Sequence, residues 1–408
     1  MKNFRSVWIV RLLLIGSILL SAVGIAAAPA PAIEDLCRTG SYSGGVYLIC
    51  VPPEWNDDLV VYAHGYVAPG NPVEIPMDQL VLEDGTSIPE TVLGMGYAFA
   101  TTSYKTNGLA IKEGVVDLVD LVSVFTVATG EPNNVYLVGA SEGGLITTLA
   151  VEQRSDVFDG GLATCGPVGD FHRQINYWGD VRVLFDYFFP GVLPKFKDNQ
   201  DPLIPQDVID QWYWCGDPER NPHYPCVDDP QQSYQKSIQE ALSANPAKRE
   251  RLLKIAEVPT HRNDPQTNVD ALVQLLWYNV FATNDAVGKL GGQPYENKRV
   301  WYLGSDNDRK LNRKVERFDA DPATIGEIAA SYQTAGNPSV PIVTLHTFQD
   351  PAVPYWHAPL YGWKVWQNDA QAFHTNIPIP RYGHCNFTAQ EVLIAFGLLA
   401  AQVSGKVP

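Results

Sequence analysis

The feature that most constrains this chain is an alternation: short apolar runs take turns with amphipathic helical ones from about residue 59 to 169 and again from about 337 to 403. Strands buried on both faces read as unbroken apolar stretches, and parallel neighbours need a crossover, usually a helix, between them. The pattern predicts an α/β architecture, a mostly parallel central sheet flanked by helices. The strands read at 59–63, 97–102, 134–138, 161–164, 340–345 and, more weakly, around 373–377; helices read at 114–128, 143–153, 355–368 and 388–403. The alternation breaks once. From about 170 to 336 no strand recurs in step, and the stretch is rich in Trp, Tyr, Pro, Asp and Asn, with helical patches such as 269–280. A run of that length is too long for a loop. It reads as a large, mostly helical cap, 170–336, inserted after the strand at 161–164 and dividing the core into 33–169 and 337–408.

The first residues bear on compartment. Lys2, Arg5 and Arg11 precede an uncharged apolar run at 12–28, and small residues with prolines follow to Ala32. This is the form of a signal peptide, 1–32, with Ala30 and Ala32 at the spacing a signal peptidase prefers and Ile33 as the first mature residue. The rival is an uncleaved anchor, since an apolar run of roughly 17 residues lies at the short end of a membrane span. The predicted product is exported, secreted or periplasmic, with no stable membrane anchor after cleavage. About 375 residues remain, enough for one elaborated α/β domain. A formal charge of −16, which grows more negative once the basic leader is gone, gives a surface that repels nucleic acid and anionic membranes. All six cysteines lie in the exported part, where oxidation is permitted. Many connectivities are open. Proximity favours Cys37 with Cys50 across a short Gly-rich turn and Cys215 with Cys226 across a Pro-rich loop, which leaves Cys165 and Cys385 for each other.

The strongest local signal is Gly139-Ala140-Ser141-Glu142-Gly143, preceded by an apolar strand and followed by a helical run. A serine on so sharp a turn needs neighbours two away without side chains, so that the helix can pack back on the strand. The pentad alone is common; the strand before it and the helix after it make it specific. A serine hydroxyl is a poor nucleophile until a base takes its proton, and the base needs an acid to fix its tautomer. After such a turn the partners follow in the order Ser, Asp or Glu, His. The late strand ends in Asp350 at the carboxyl edge of the sheet, where ligand-facing loops gather. His384 follows in a loop just before the last helix. Ser141, Asp350 and His384 are therefore the candidate nucleophile, orienting acid and base.

Other histidines compete: His346 inside a strand, His357 and His374 beside a helix, and His172, His223 and His261 in the cap. Asp369, at a helix end, is the chief rival acid and reads as solvated. The oxyanion of a tetrahedral intermediate needs two backbone donors, one from the residue after the nucleophile and one from the loop after an early strand. Those are the N–H groups of Glu142 and of Tyr66, in the turn His64-Gly65-Tyr66. His64 reads as a structural hydrogen-bonder.

Together these four segments resemble the α/β-hydrolase superfamily, from about residue 58 to the end of the chain. Asp350 followed by Val353-Pro354, and Gly143-Gly144 after Ser141, look like the prolyl-oligopeptidase branch. The Gly65-Tyr66 turn is similar to that of cutinases and polyester hydrolases. In the tannase and feruloyl-esterase group a cysteine before the serine is bridged to one just after the histidine. Here Cys385 fits, but Ala140 stands where its partner would be. Cys165, at the end of the strand after the nucleophile helix, serves in its place under this resemblance and would pin the histidine loop.

The cap is dense in aromatics, among them Trp178, Phe185, Tyr187, Phe188, Phe189, Trp212, Tyr213 and Trp214. Such residues line pockets and also fill ordinary cores. Acidic clusters at Asp228-Asp229 and Asp306 to Asp308 lack the ligand spacing of a calcium loop and read as solvated turns. No metal and no cofactor is called for. The expected activity is hydrolysis of a small-molecule or polymeric carboxylic ester through an acyl-enzyme; a prolyl-oligopeptidase-like peptidase, although no propeller repeat precedes the domain, and a non-catalytic binding protein are the alternatives. Oligomeric state is left open.

Overall fold

A central eight-stranded sheet organises the chain in the computed structural model, which describes residues 33–194 and 203–406. The expected signal peptide, 1–32, lies outside the described residues. The strands are β1 (Cys37–Tyr42), β2 (Gly45–Cys50), β3 (Asp58–Ala63), β4 (Ala98–Thr102), β5 (Asn134–Ala140) and β6 (Gly160–Thr164); a two-residue pair, β7 (Tyr213–Trp214) and β8 (Cys226–Val227), intervenes before β9 (Ile342–Gln349) and β10 (His374–Tyr382). The sheet order is β1-β2-β4-β3-β5-β6-β9-β10. β1 pairs antiparallel with β2 and β2 antiparallel with β4, while the ladders from β4 to β10 are parallel.

The described helices are α1 (Ile33–Leu36), α2 (Ile88–Gly94), α3 (Ile111–Thr129), α4 (Glu142–Gln153), α5 (Phe171–Phe188), α6 (Gln206–Asp210), α7 (Tyr234–Ala244), α8 (Pro246–Ile255), α9 (Pro265–Leu290), α10 (Asp308–Lys314), α11 (Pro322–Ser331), α12 (His357–Gln367) and α13 (Ala389–Val403). Along β3 the pleat sends Leu59, Val61 and Ala63 into one core with Leu118 and Phe125 of α3 and Leu145 of α4. Val60 and Tyr62 go the other way, against Val92 of α2 and Phe396 of α13. Burial on both faces is why the strand reads as an unbroken apolar run.

Between β6 and β9 the regular elements of the described chain are helices apart from β7 and β8, joined by long irregular stretches. It has its own apolar core, built from α5, α7, α8 and α9 and including Phe185, Phe188, Phe189, Trp212 and Tyr213. These aromatics of the inserted stretch are thus packing residues. The end of the stretch leans on the sheet instead, since Leu290, Ile328 and Tyr332 belong to the core under α3 and α4.

The hairpin β1–β2 was not foreseen as a pair of strands. Its outer member, Cys-Arg-Thr-Gly-Ser-Tyr, has no fully buried residue and carries no apolar alternation. The disulfide Cys37–Cys50 lies directly across its register. Cys215–Cys226 fastens the β7–β8 pair, and Cys165–Cys385 closes 220 residues. No helix among the described residues is long and apolar enough to cross a membrane.

Candidate active site

Ser141 stands between the last residue of β5 and the first of α4, with φ 57° and ψ −121°. That left-handed conformation is costly for a residue with a side chain and is held by its surroundings. The flanking glycines are required by close approach: a Cβ on Gly139 would lie 2.2 Å from the Gly143 carbonyl oxygen, and one on Gly143 would lie 2.0 Å from that of Ala63. Strand and helix meet backbone to backbone, and Ser141 is lifted out at the carboxyl edge of the sheet.

Two loops from far along the chain converge there. His384 Nε2 lies 2.8 Å from Ser141 Oγ, and His384 Nδ1 lies 2.7 Å from Asp350 Oδ2. An ionised Asp350 makes Nδ1 the protonated nitrogen and leaves the Nε2 lone pair facing the serine hydroxyl. Asp350 is wholly buried just past β9, and its Oδ1 accepts the N–H groups of Ala352 and Val353, each at 2.9 Å. Burial works against its ionisation, but the facing His384 and His346 outweigh it and hold the carboxyl below its ordinary range.

The turn after β3 reaches the same place. A Cβ on Gly65 would sit 3.2 Å from Ser141 Cβ. Gln79 clamps this turn from both sides: Gly65 N–H donates to its Oε1 at 2.7 Å, and its Nε2 donates to the Tyr66 carbonyl at 3.2 Å. Glu142 opens α4, so its N–H has no partner within the helix. Tyr66 and Glu142 line one cavity with Ser141. His64 is buried, bonded to the Gly65 carbonyl at 2.7 Å and stacked on Tyr104, and burial pushes its pKa down to about 4.

No known family model matches the chain. A curated relative, the o-phthalyl amidase of Xanthobacter agilis, is 22% identical over 85% of this chain and 83% of its own. Among solved structures, feruloyl esterase B from Aspergillus oryzae superposes with a TM-score of 0.50 at 14% identity, over 90% of this chain and 80% of that one. An esterase from Aspergillus oryzae gives 0.48 at 12% identity, over 91% and 80%. The sheet order, the crossovers and the first of these superpositions agree. This chain has the α/β-hydrolase fold.

In this α/β-hydrolase fold the helix α5 grips the loop that carries the acid. Gln174 Nε2 donates to the Ala352 carbonyl at 2.9 Å, the Tyr177 hydroxyl donates to that of Pro351 at 2.7 Å, and Trp178 Nε1 donates to Ala352 at 3.2 Å. Behind Gln174 stands His357, which accepts Gly169 N–H at Nδ1 (3.0 Å) and donates from Nε2 to Gln174 Oε1 (2.7 Å). Burial drives its pKa well below normal, so this histidine is a neutral brace. His346 donates from Nε2 to the Val353 carbonyl at 2.7 Å, with Asp350 Oδ2 3.5 Å away. Sequence reasoning ranked both as competitors for the base and missed what they do. Their only signal was position, one inside a strand and one at the start of a helix.

The remaining candidates lie elsewhere. His172 bonds the Pro294 carbonyl, and His374 is half-buried and bonded to Thr344, with its pKa lowered by desolvation to about 4. His261 packs against Tyr382, and the His223 backbone N–H bonds Asn221. Asp369 is exposed after α12. Asp229 and Asp308 give their carboxylates to nearby backbone N–H groups, as turn residues do. Among the described residues, the one group with metal-ligand spacing is Cys165, His384 and Cys385, and its two sulfurs are joined in a disulfide.

The cavity in front of Ser141 is walled by Leu109, Phe171, Ile175, Trp178, Tyr278 and Val353. Of the aromatics singled out from the cap sequence, Trp178 lines this cavity, stacked on Tyr278 at 5.1 Å. Glu142 also borders it; burial raises its pKa to about 8, and its Oε1 accepts the Ala110 N–H at 3.1 Å.

Proposed function

We propose that this protein is an exported serine hydrolase that cleaves carboxylic esters through an acyl-enzyme. The observation that carries the reading is the continuous hydrogen-bonded line from Ser141 Oγ through His384 to Asp350. His384 Nε2 takes the serine proton as Oγ attacks the ester carbonyl, and Asp350 holds the ring in the needed tautomer and stabilises the imidazolium. The N–H groups of Tyr66 and Glu142 receive the oxyanion. When the intermediate collapses, the proton on Nε2 passes to the departing alcohol; a water activated by the same histidine then releases the acid. The apolar, aromatic cavity beside Ser141 supports an acyl group of matching character. The three disulfides and the signal-peptide-like leader support export.

Amide hydrolysis is the second reading. It is favoured by the 22% identical relative, an o-phthalyl amidase. One pair of measurements tests both. A fluorophosphonate probe is expected to label the wild type and not Ser141→Ala, and an unlabelled wild type overturns the hydrolase reading. Matched aryl esters and anilides of one aromatic acid then decide between ester and amide, and faster turnover of the anilide overturns the first reading in favour of the second.

A further inference from the structure

The space around the candidate triad is chemically divided. On the Ser141 side lies the apolar cavity. On the His384 side lies a separate, wider cleft of mixed character that borders His384 and Tyr382: Gln235, Gln239, Gln274, Glu219 and Asp270 wall it on one part, and Trp212, Tyr213, Val273 and Trp277 on another. No Lys or Arg lines it among the described residues, and its two charged side chains are carboxylates. Two polar atoms of its wall are buried without a hydrogen-bond partner: the side-chain oxygen of Gln235, a residue 7% exposed, and the hydroxyl of Tyr382.

We propose that this cleft holds the departing alcohol of the substrate, and that the alcohol carries hydrogen-bond donors and no negative charge, as a polyol or an amino alcohol does. The inference rests on the serine hydrolase reading. As the intermediate collapses, the bond between the carbonyl carbon and the departing oxygen breaks, and that oxygen takes the proton His384 Nε2 received from Ser141. The departing group must therefore lie over His384, in this mixed cleft, while the acyl group stays over Ser141 in the apolar cavity. The Glu219 and Asp270 carboxylates match hydroxyl or ammonium donors and repel a carboxylate, while the glutamine amides both donate to and accept from hydroxyl groups.

The test is a series of esters of one acid that the protein turns over as its p-nitrophenyl ester: ethyl, glyceryl, 2-(dimethylamino)ethyl and carboxymethyl. The expected kcat/KM for the glyceryl and dimethylaminoethyl esters exceeds that of the ethyl ester by about tenfold, and the carboxymethyl ester falls below it by a similar factor. Tyr382→Phe, which keeps the ring, is expected to shrink the glyceryl-to-ethyl ratio several-fold. The double variant Glu219→Gln/Asp270→Asn is expected to reduce the dimethylaminoethyl advantage and its dependence on salt. Equal rates across the series, or a preference for the carboxymethyl ester, overturn the inference while leaving the hydrolase reading intact. Absence of both p-nitrophenyl ester turnover and fluorophosphonate labelling overturns both.

Discussion

Cys385 is bonded to Cys165, 220 residues earlier in the chain, and the bond fastens the loop of His384 to the end of β6, the neighbour of the strand that leads into Ser141. The sulfur of Cys385 lies 3.5 Å from His384 Nε2. His384 is thereby tied to the same part of the sheet edge as Ser141. Replacing both cysteines by serine is expected to lower stability by about 2–4 kcal/mol, read from urea denaturation, because the crosslink closes a very long loop. Turnover number is expected to fall with it; an unchanged kcat would show that the crosslink does not position the histidine.

Asp350 offers Oδ1 to two backbone N–H groups and Oδ2 to His384. An asparagine can keep the first set of bonds while presenting N–H to the ring. Asp350→Asn is therefore expected to fold and to lose about 10⁴-fold in kcat, because it selects the wrong tautomer. Steady-state kinetics beside a circular dichroism spectrum checks this, and a loss under about tenfold with intact fold contradicts the assigned role.

Gln79 touches neither Ser141 nor His384 in the hydrogen bonds it makes, yet it holds the turn of Gly65 and Tyr66, whose N–H is the proposed second oxyanion donor. Removing one oxyanion donor outright costs about 10²–10³ in rate, so loosening it in Gln79→Ala is expected to cost at least about tenfold in kcat. The KM for a short-chain ester is expected to move less. A change confined to KM would make Gln79 a binding residue instead.

Glu142 links stability to pH. Its folded pKa is raised to about 8 from the ordinary 4.5, so between those values the folded protein keeps a proton that the unfolded chain has released. Stability from this group is full below about pH 4.5, declines as pH rises, and levels off above about pH 8. Glu142→Gln keeps the oxygen that accepts Ala110 N–H and removes the titration. The urea midpoint of the wild type is expected to drop relative to this variant between pH 5 and 8, and parallel midpoints across that window would place the titration elsewhere.

The sequence by itself determined what local spacing can encode. Apolar runs marked β3, β4, β5, β6 and β9 because burial on both faces acts residue by residue, while β10, largely polar and only partly buried, left a weaker mark. Gly139 and Gly143 marked the elbow because the helix must touch the strand there. The order of Ser141, Asp350 and His384 followed from which loops end at the carboxyl edge of a parallel sheet. The tertiary structure alone decided the rest. The outer strand of the β1–β2 hairpin is too polar to announce itself and is held by its partner and a disulfide. Gln79 meets Gly65 across 14 positions, and His357 meets Gln174 across 183, with no periodicity to connect them. The same holds for the division between an apolar cavity over Ser141 and a mixed cleft over His384, whose walls come from α5, α7 and α9 folded over the sheet. Secondary structure follows from local spacing, but which side chains share a wall depends on how distant elements pack.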